Sequence, residues 1–255
     1  MIDALRSEGV RIRTIASTYW ALLLGIALCA LVALGFGIDT RGSDVPPAAA
    51  TLLLTAGGAD LPFSVLGMAV AFVGILATGH EYRYRTIYPT LAVLPRRSVL
   101  LAAKVLTVAL VAFTAAVVTT AICWLVGSIA RAAALPLLGE PILSVLAGYA
   151  VLVILYGVLG VALGQLTRSI PAALVILLVF PLVVEPVVSG LSGLAALRWL
   201  GEIADYLPFA AGMQLVTIEA AGAGALGRGE GGVVFAGFVA LVLAAGWILF
   251  ERRDA

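Results

Sequence analysis

Long apolar runs constrain the fold of this 255-residue chain more than any other feature of its sequence. A helix of about 20 apolar residues crosses a hydrocarbon layer roughly 30 Å thick and satisfies its own backbone hydrogen bonds there. Six runs meet this condition, so we expect an all-α, polytopic membrane protein with a single transmembrane domain. The predicted spans are Tyr19–Ile38, Leu61–Gly79, Val99–Gly127, Ser144–Gln165, Ile170–Gly190 and Val233–Phe250.

The composition agrees with this class of protein. Hydrophobic residues make up 63% of the chain and charged residues only 11%, whereas a soluble domain carries about 25% charged residues. The net charge is +1, and the basic residues do not gather into a basic domain. We therefore expect no nucleic-acid partner.

The distribution of basic residues predicts the orientation of the spans, because Lys and Arg residues near span ends favour the cytoplasmic side. With the N-terminus inside, eleven of the 15 basic residues fall in cytoplasmic parts and four fall outside. We therefore expect both termini in the cytoplasm. The inner set is Arg6, Arg11, Arg13, Arg83, Arg85, Arg96, Arg97, Lys104, Arg168, Arg252 and Arg253, and the outer set is Arg41, Arg131, Arg198 and Arg228.

Residues 1–18 predict an amphipathic helix ahead of the first span. Their apolar positions recur at alternating steps of three and four, and three arginines fall off that stripe. Such a helix lies in the membrane interface with its basic face toward lipid headgroups. The alternative is an ordinary turn beside the membrane. The stripe consists of Ile2, Leu5, Gly9, Ile12, Ala16 and Tyr19.

Two outer connections differ in character. Residues 39–60 form a polar connection, in which Pro46–Pro47 and Gly57–Gly58 are predicted to break regular structure. Residues 191–232 include, from Leu194 on, the stretch "LAALRWLGEIADYLPFAAGMQLVTIEA", which is too apolar for a free loop and too polar for a span. We expect short helices there, packed at the outer interface or dipping back into it, followed by a glycine-rich link.

Signatures of catalysis and of nucleotide or metal binding are absent from the sequence. It has no G-x-x-x-x-G-K-[ST] motif, and the G-x-G-x-x-G match at Gly222, Gly224 and Gly227 lies in the glycine-rich link without a βαβ context. One histidine and two separate cysteines, Cys29 and Cys123, do not form a metal site, and we interpret both thiols as small buried groups. We expect no catalytic residues, no metal and no cofactor in this chain, and hence no enzyme.

Glu185 is the one acidic residue well inside a predicted span. It lies roughly 22 Å along the fifth helix at 1.5 Å per residue, between Pro181 and Pro186. An acid at this depth usually faces a bundle interior or a cavity and marks a functional site. The alternative is an anchor for the following turn, made by pairing with Arg198 or by capping a backbone amide.

The segment "GHEYRYRTIYPTLAVLPRRSVLLAAK" joins the second and third spans and concentrates charge on the inner side. Tyr84, Ile87, Leu91 and Leu94 recur at three- and four-residue spacing, which is typical of a short amphipathic helix. One interpretation is a helix that lies alone in the interface. The other is a loop that docks a soluble partner, since aromatic and arginine side chains are enriched at interfaces.

This segment resembles the cytoplasmic loop of ABC-2 type transporter permeases. In that family the loop carries a pattern like E-[YF]-R-x-G-T-I-x-x-T-L, followed by P-R-R or P-x-R and then by A-K. Arg85 stands where that family usually has Gly. "LRSEGVRIRTIASTYW" resembles the family's entry helix, and "EPVVSGL…YLPFAAGMQL" resembles its fifth-span exit and outer helices. The matching residues are Glu81, Tyr82, Arg83, Thr86, Ile87, Thr90, Leu91, Pro95, Arg97, Ala103 and Lys104.

The resemblance implies the permease subunit of an ATP-driven exporter in the bacterial cytoplasmic membrane. Two such subunits, identical or different, would form the pathway for a hydrophobic or amphipathic substrate such as a drug, peptide or lipid. Separate ABC ATPase subunits would bind ATP and Mg²⁺ and dock on the coupling loop, residues 80–98. The alternative is an accessory or channel-like membrane protein without ATP coupling.

The resemblance also assigns candidate site residues. Glu185 and Arg198 are predicted to belong to an outer gate or pathway, because they lie where an exporter opens. The predicted ATPase-coupling residues are Glu81, Tyr82, Arg83, Tyr84, Arg85, Thr86, Ile87, Leu91, Pro95, Arg96 and Arg97.

Overall fold

A computed structural model of the chain describes residues 16–56, 61–83, 97–135, 137, 139–194, 197, 199–218 and 226–252. Helices are the regular elements of these residues, as the apolar runs predicted. A π-helical turn, Phe180–Val184, joins α6 to α7, and a 3₁₀ turn, Gln214–Val216, follows α9. The α-helices are α1 (Ala16–Asp39), α2 (Pro47–Thr55), α3 (Val65–Arg83), α4 (Arg97–Arg131), α5 (Ile142–Thr167), α6 (Ile170–Val179), α7 (Glu185–Ser192), α8 (Trp199–Ala204), α9 (Pro208–Met213) and α10 (Arg228–Arg252).

Six helical segments of the described residues are long and apolar enough to cross a membrane. They are α1, α3, α4, α5, the joined α6 and α7, and α10, so the predicted number of spans is confirmed. The span in α4 has 34 residues and is about 50 Å long, well beyond the thickness of a hydrocarbon layer, as the sequence indicated. We call the end of the bundle where α3 finishes and α4 begins the proximal end, and the other the distal end.

The second span starts later than predicted, at Val65 instead of Leu61. Ser64 sets this boundary, because its hydroxyl accepts a hydrogen bond from the Gly67 N–H at 3.1 Å, as an N-cap residue does. The Ser64 N–H itself donates to the Tyr156 hydroxyl of α5 at 3.4 Å. A side chain from another span therefore fixes where this helix begins.

The fourth span, α5, forms the centre of the bundle. Tyr149, Leu152 and Tyr156 are fully buried along it. Glycines allow α3 to approach closely: a Cβ atom on Gly160 would overlap the Ala71 carbonyl oxygen, and one on Gly164 would lie 3.1 Å from Thr78 Cβ. Positions on α3 and α5 advance together in these contacts, so the two helices run parallel, as two helices separated by one intervening span must.

The connection across residues 39–60 is more regular than predicted, because it contains α2. Pro47 begins this helix instead of breaking it, since the first turn of a helix needs no N–H donor. Leu53 and Leu54 are fully buried, in one cluster with Leu135 and Ile142 near the distal ends of α4 and α5. Residues 57–60, which include the predicted Gly57–Gly58 breaker, lie outside the described residues.

The segment after the fifth span folds back into the bundle. Phe209 of α9 is buried, with its ring centroid 5.6 Å from that of Tyr156 and 5.9 Å from that of Phe180. These two partners lie near the middle of the fourth and fifth spans, so α9 reaches about half-way into the bundle from the distal end. The sixth span starts at Arg228, five residues before the predicted Val233, because "RGEGG" continues the helix.

Other predicted features lie outside the described residues. These are most of the amphipathic entry helix (residues 1–15), the centre of the coupling loop (residues 84–96), and much of the glycine-rich link (residues 219–225). The described chain resumes on each side of these gaps, at Ala16, Arg97 and Leu226.

Candidate functional site

A buried ion pair joins the two helices that flank residues 84–96. The Glu81 carboxylate near the end of α3 lies 2.6 Å from Lys104 Nζ on α4, and both side chains are about 2% exposed. Lys104 Nζ also donates a hydrogen bond to the Ala77 carbonyl oxygen at 3.3 Å. The proximal ends of α3 and α4 are therefore tied together just where the chain leaves and re-enters the bundle.

This pair is costly to break. Two charges lose their hydration on burial, and only their mutual attraction and added hydrogen bonds offset that loss. Removal of one partner of a buried ion pair typically costs about 3–5 kcal/mol. The pair therefore fixes the relative position of α3 and α4 more firmly than an exposed pair, which contributes about 0–1 kcal/mol.

A second contact connects the end of α3 to the turn between the fourth and fifth spans. The Arg168 guanidinium carbon lies 5.1 Å from the centroid of the Tyr82 ring, a cation–π distance, and both side chains are half-buried. The guanidinium lies over the face of the ring, so the ring makes the contact. Gly79 adds to it, because a Cβ atom there would overlap Ile170 at the start of α6.

The predicted coupling residues are thus distributed unequally. Glu81 points into the bundle and Tyr82 faces Arg168, so neither carboxylate nor ring is freely exposed. Arg83 is the last residue of α3, and Arg97 is the first of α4. The remaining ones lie outside the described residues: Tyr84, Arg85, Thr86, Ile87, Leu91, Pro95 and Arg96.

Sequence reasoning did not include Lys104 and Arg168 among the coupling residues. Lys104 carried two signals: it matches the A-K of the ABC-2 pattern, and it is the one lysine among the chain's 15 basic residues and lies within an apolar run. Its partner is 23 residues away, and no helical spacing relates the two positions. Arg168 carried only its place in a short inner connection.

A second candidate site centres on Glu185 at the other end of the fifth span. The Phe209 N–H donates to Glu185 Oε1 at 2.8 Å, and the Ala210 N–H donates to Oε2 at 2.9 Å. Amides in the first turn of a helix have no partner within the helix, and the carboxylate satisfies two of them in α9. Glu185 is only 4% exposed, so the clamp lies inside the protein.

The π turn brings Glu185 to this position. Its N–H donates to the Phe180 carbonyl five residues earlier, which shifts the helical register by one residue. Pro181 within the turn and Pro186 just after it lack an N–H, so regular α-helical bonding is interrupted there. Without the extra residue, the Glu185 side chain would point about 100° away from α9, since each residue turns an α-helix by that angle.

The structure therefore shows the amide cap, one of the arrangements that the sequence left open for Glu185. The other partner proposed for it, Arg198, lies outside the described residues. The signal for the cap was the sequence Leu207–Pro208, because proline is favoured in the first turn of a helix and leaves the following amides free. Distance in the chain, 24 residues, concealed the contact.

A cavity of about 340 Å³ lies between the first, second and fifth spans. Its lining is apolar, and Leu24, Leu28 and Leu178 are themselves about half exposed on the outer face of the bundle. The cavity is therefore open sideways. Its other lining residues are Ala21, Gly25, Phe63, Val65, Met68, Ala69, Phe72, Leu174 and Leu177.

Cys29 and Cys123 are free thiols and are fully buried in the main apolar cluster, where they act as small packing groups. Within the part of the chain that the structure describes, no group of three or more His, Cys, Asp or Glu side chains is placed to hold a metal ion.

No model of a known protein family matches the sequence, and no curated protein matches it either. The two candidate sites are accordingly interpreted from their own chemistry and from the sequence pattern around residues 79–104.

Proposed function

We propose that this chain is the permease subunit of an ATP-driven ABC exporter in the bacterial cytoplasmic membrane. In this proposal both termini are cytoplasmic, the proximal end of the bundle faces the cytoplasm and the distal end faces outside. Two permease subunits, identical or different, form the pathway, and separate ABC ATPase subunits bind ATP and Mg²⁺. Residues 1–18 form the interfacial entry helix and lead into α1, and residues 80–98, which include the ends of α3 and α4, form the coupling loop.

The observation that carries the proposal is the buried Glu81–Lys104 pair at the base of residues 84–96. A simple connection between two spans needs no such pair, because its charged residues are solvated at the membrane surface at little cost. The Glu81–Lys104 pair joins α3 and α4 where the chain leaves and re-enters the bundle. A force applied to the loop by a soluble partner is then passed to α3 and α4 together.

The resemblance around residues 79–104 indicates that this partner is an ABC ATPase. ABC-2 permeases use this loop to dock an ATPase, and this chain has no nucleotide-binding motif of its own. Closure of the ATPases on ATP would move the loops and switch the pathway from inward-open to outward-open. Arg83, Arg85, Arg96 and Arg97 give the loop the positive charge that would meet an acidic groove on the ATPase.

The lateral cavity supports a hydrophobic or amphipathic substrate. It is open to the surrounding bilayer between the first and fifth spans, and its lining offers almost no hydrogen-bonding groups. A polar or charged molecule would lose its hydration there without compensation, whereas an apolar group would gain by burial. Drugs, apolar peptides and lipids fit this description.

The Glu185 clamp supports an outer gate. It holds α9 in the distal half of the bundle through two charge-assisted hydrogen bonds, which are about twice as strong as neutral ones. Release of these bonds would free α9 from the fifth span and open the distal side. In this proposal the closed state of the gate depends on the Glu185 carboxylate.

Reconstitution with a partner ATPase tests the proposal. The full chain is co-expressed with an ABC ATPase encoded beside its gene, purified in detergent and placed in proteoliposomes. We expect the ATPase to co-purify, and we expect a fluorescent amphipathic substrate to be transported only with ATP. An ATPase that neither binds nor drives transport, or transport that needs no ATP, would contradict the proposal and favour a channel-like or accessory protein.

Charge variants connect this experiment to the ion pair. Glu81→Lys and Lys104→Glu each place like charges together, so both should lose ATP-dependent transport. The double variant restores an opposite pair and should recover much of it. Arg41→Glu, an exposed change at the distal end of α1, is the matched control and should transport like the wild-type chain.

A further inference from the structure

The turn between the fourth and fifth spans is short and held by local hydrogen bonds. Arg168 caps α5 with a positive φ of 53°, and its N–H donates to the Gly164 carbonyl at 3.0 Å. The Ser169 N–H donates to the Thr167 hydroxyl at 3.4 Å, and α6 starts at Ile170 with a proline in its first turn. Because so few residues separate the two helices, a push on Arg168 moves the ends of α5 and α6 together.

Tyr82 is placed to pass a displacement of the end of α3 to Arg168. It follows Glu81 directly, so the buried ion pair fixes its backbone, and it lies two residues before the segment 84–96. Its ring packs under the Arg168 guanidinium at 5.1 Å. Any displacement of the segment that turns the end of α3 therefore shifts this ring against the turn.

The fifth span continues from this turn to the Glu185 clamp. It is a regular α-helix from Ile170 to Val179, and the π turn then sets the direction of Glu185 toward the amides of α9. A small rotation of α6 at its proximal end would change that direction. The two hydrogen bonds to α9 would then weaken, because hydrogen bonds weaken steeply with angle. The proximal contact and the distal clamp thus share one helix.

We propose that the Tyr82–Arg168 contact transmits motion of the coupling segment to the fifth span, and through it to the Glu185 clamp. The inference rests on the proposed function and adds two positioning residues to it. Arg168 acts through Tyr82 and touches neither ATPase nor substrate. The contact is made by the aromatic face of Tyr82, over which the Arg168 guanidinium lies.

The experiment measures opening of the distal end in proteoliposomes that contain the ATPase. Tyr206, which is exposed between α8 and α9, is replaced by cysteine and labelled with a membrane-impermeant maleimide, with and without ATP. Cys29 and Cys123 are fully buried and do not compete for the reagent. ATP hydrolysis and co-purification of the ATPase are measured on the same samples.

Four variants in this background separate the possibilities. Tyr82→Leu and Arg168→Gln should each reduce the ATP-dependent change in labelling by about two- to thirtyfold, the range that a cation–π contact supports, while ATPase binding and hydrolysis persist. The variant with both changes should be no worse than either single one, since both remove the same contact. Tyr82→Phe keeps the ring and should behave as wild type.

The outcomes distinguish this inference from the function on which it rests. If the unchanged chain binds no ATPase or shows no ATP-dependent labelling, the proposed function fails and the inference fails with it. If that labelling is present and Tyr82→Leu or Arg168→Gln leaves it unchanged, only the inference is overturned. Independent, additive losses in the double variant also overturn it.

Discussion

Glu185 shows how one side chain determines the position of a remote helix. Both of its carboxylate oxygens accept a backbone hydrogen bond, so neither is redundant. A neutral amide has only one acceptor oxygen, and its NH₂ group would face the other N–H. The charge and the geometry of Glu185 are therefore both needed, and glutamine is not an equivalent replacement.

We expect Glu185→Gln to lower the thermal stability of the protein in nanodiscs and Glu185→Ala to lower it further. Glutamine leaves one buried amide of α9 without an acceptor and alanine leaves two, at about 1–3 kcal/mol for each unpaired group. Scanning fluorimetry would give the order of melting temperatures. Glu230→Gln is the control: Glu230 also accepts from a backbone amide, that of Gly227, but it is exposed, so water replaces the lost bond.

Equal melting temperatures for wild type and both Glu185 variants would contradict this interpretation, since the clamp would then contribute nothing to the fold. A Gln variant as stable as wild type beside an unstable Ala variant would show that one bond to α9 is sufficient.

At the scale of the elements, the closest packing is between α3 and α5. Gly160 and Gly164 form a G-x-x-x-G motif, a spacing that is weak evidence of a helix contact by itself because it arises readily by chance in a chain with 28 glycines. In the structure both glycines face the backbone of α3, so this motif lies at a helix–helix contact. In lipid, where burial of apolar groups provides little driving force between helices, such close approach is a main source of helix association.

We therefore expect Gly160→Ala to destabilise the bundle by about 1–3 kcal/mol, because its methyl group meets the Ala71 carbonyl oxygen, which belongs to the backbone and moves only with α3. Gly237→Ala is the matched control in α10. It is exposed with no neighbour within 4 Å, so alanine should be neutral or stabilise the helix by up to about 1 kcal/mol. Denaturation in mixed micelles would compare the two.

If both glycine variants unfolded at the same denaturant concentration as wild type, α3 would be free to shift away from α5. The close packing that defines the centre of the bundle would then be unnecessary for stability.

The elements differ in how far the sequence predicted them. The six spans follow from local composition, because each run is long and apolar by itself. The start of α3 at Ser64 and the depth of α9 depend on Tyr156 and Glu185, which belong to other spans. The helix α2 was missed because Pro47 was interpreted as a breaker, although proline is well accommodated in a first turn.

The candidate sites follow the same division. The sequence singled out Glu185 because an acid within a span is conspicuous, and Glu81 because it belongs to the pattern that resembles the ABC-2 coupling loop. It did not predict that Glu81 pairs with Lys104. For Glu185 it left an amide or Arg198 open as the partner without identifying Phe209 and Ala210, since these contacts join positions more than 20 residues apart. The sequence identifies a candidate residue by its type and position, and the fold then shows which group that residue contacts.

At the scale of the whole molecule, the number of crossings fixes the relation between the two termini. The described residues contain six segments long enough to cross, an even number, so we expect the chain to return to the side on which it began. We expect the segment between the fifth and sixth spans to add no crossing. Its helices α8 and α9 have six residues each, about 9 Å, and α9 returns to the distal end through the 3₁₀ turn.

We accordingly expect a fluorescent reporter fused after Ala255 to fluoresce in the cytoplasm, and a cysteine at Asp44, exposed between α1 and α2, to react with an impermeant maleimide from outside in intact cells. The sign of the orientation comes from the eleven-to-four excess of basic residues on the proximal side, which resist transfer across the membrane during insertion. The expected relation between the two ends comes from the even number of candidate spans.

An external reporter with an external Asp44→Cys would mean that residues 191–227 cross the membrane, contrary to the depth of α9. An external reporter with an internal cysteine would preserve the fold and invert the whole bundle, which would place residues 84–96 outside, where no ATPase could reach them.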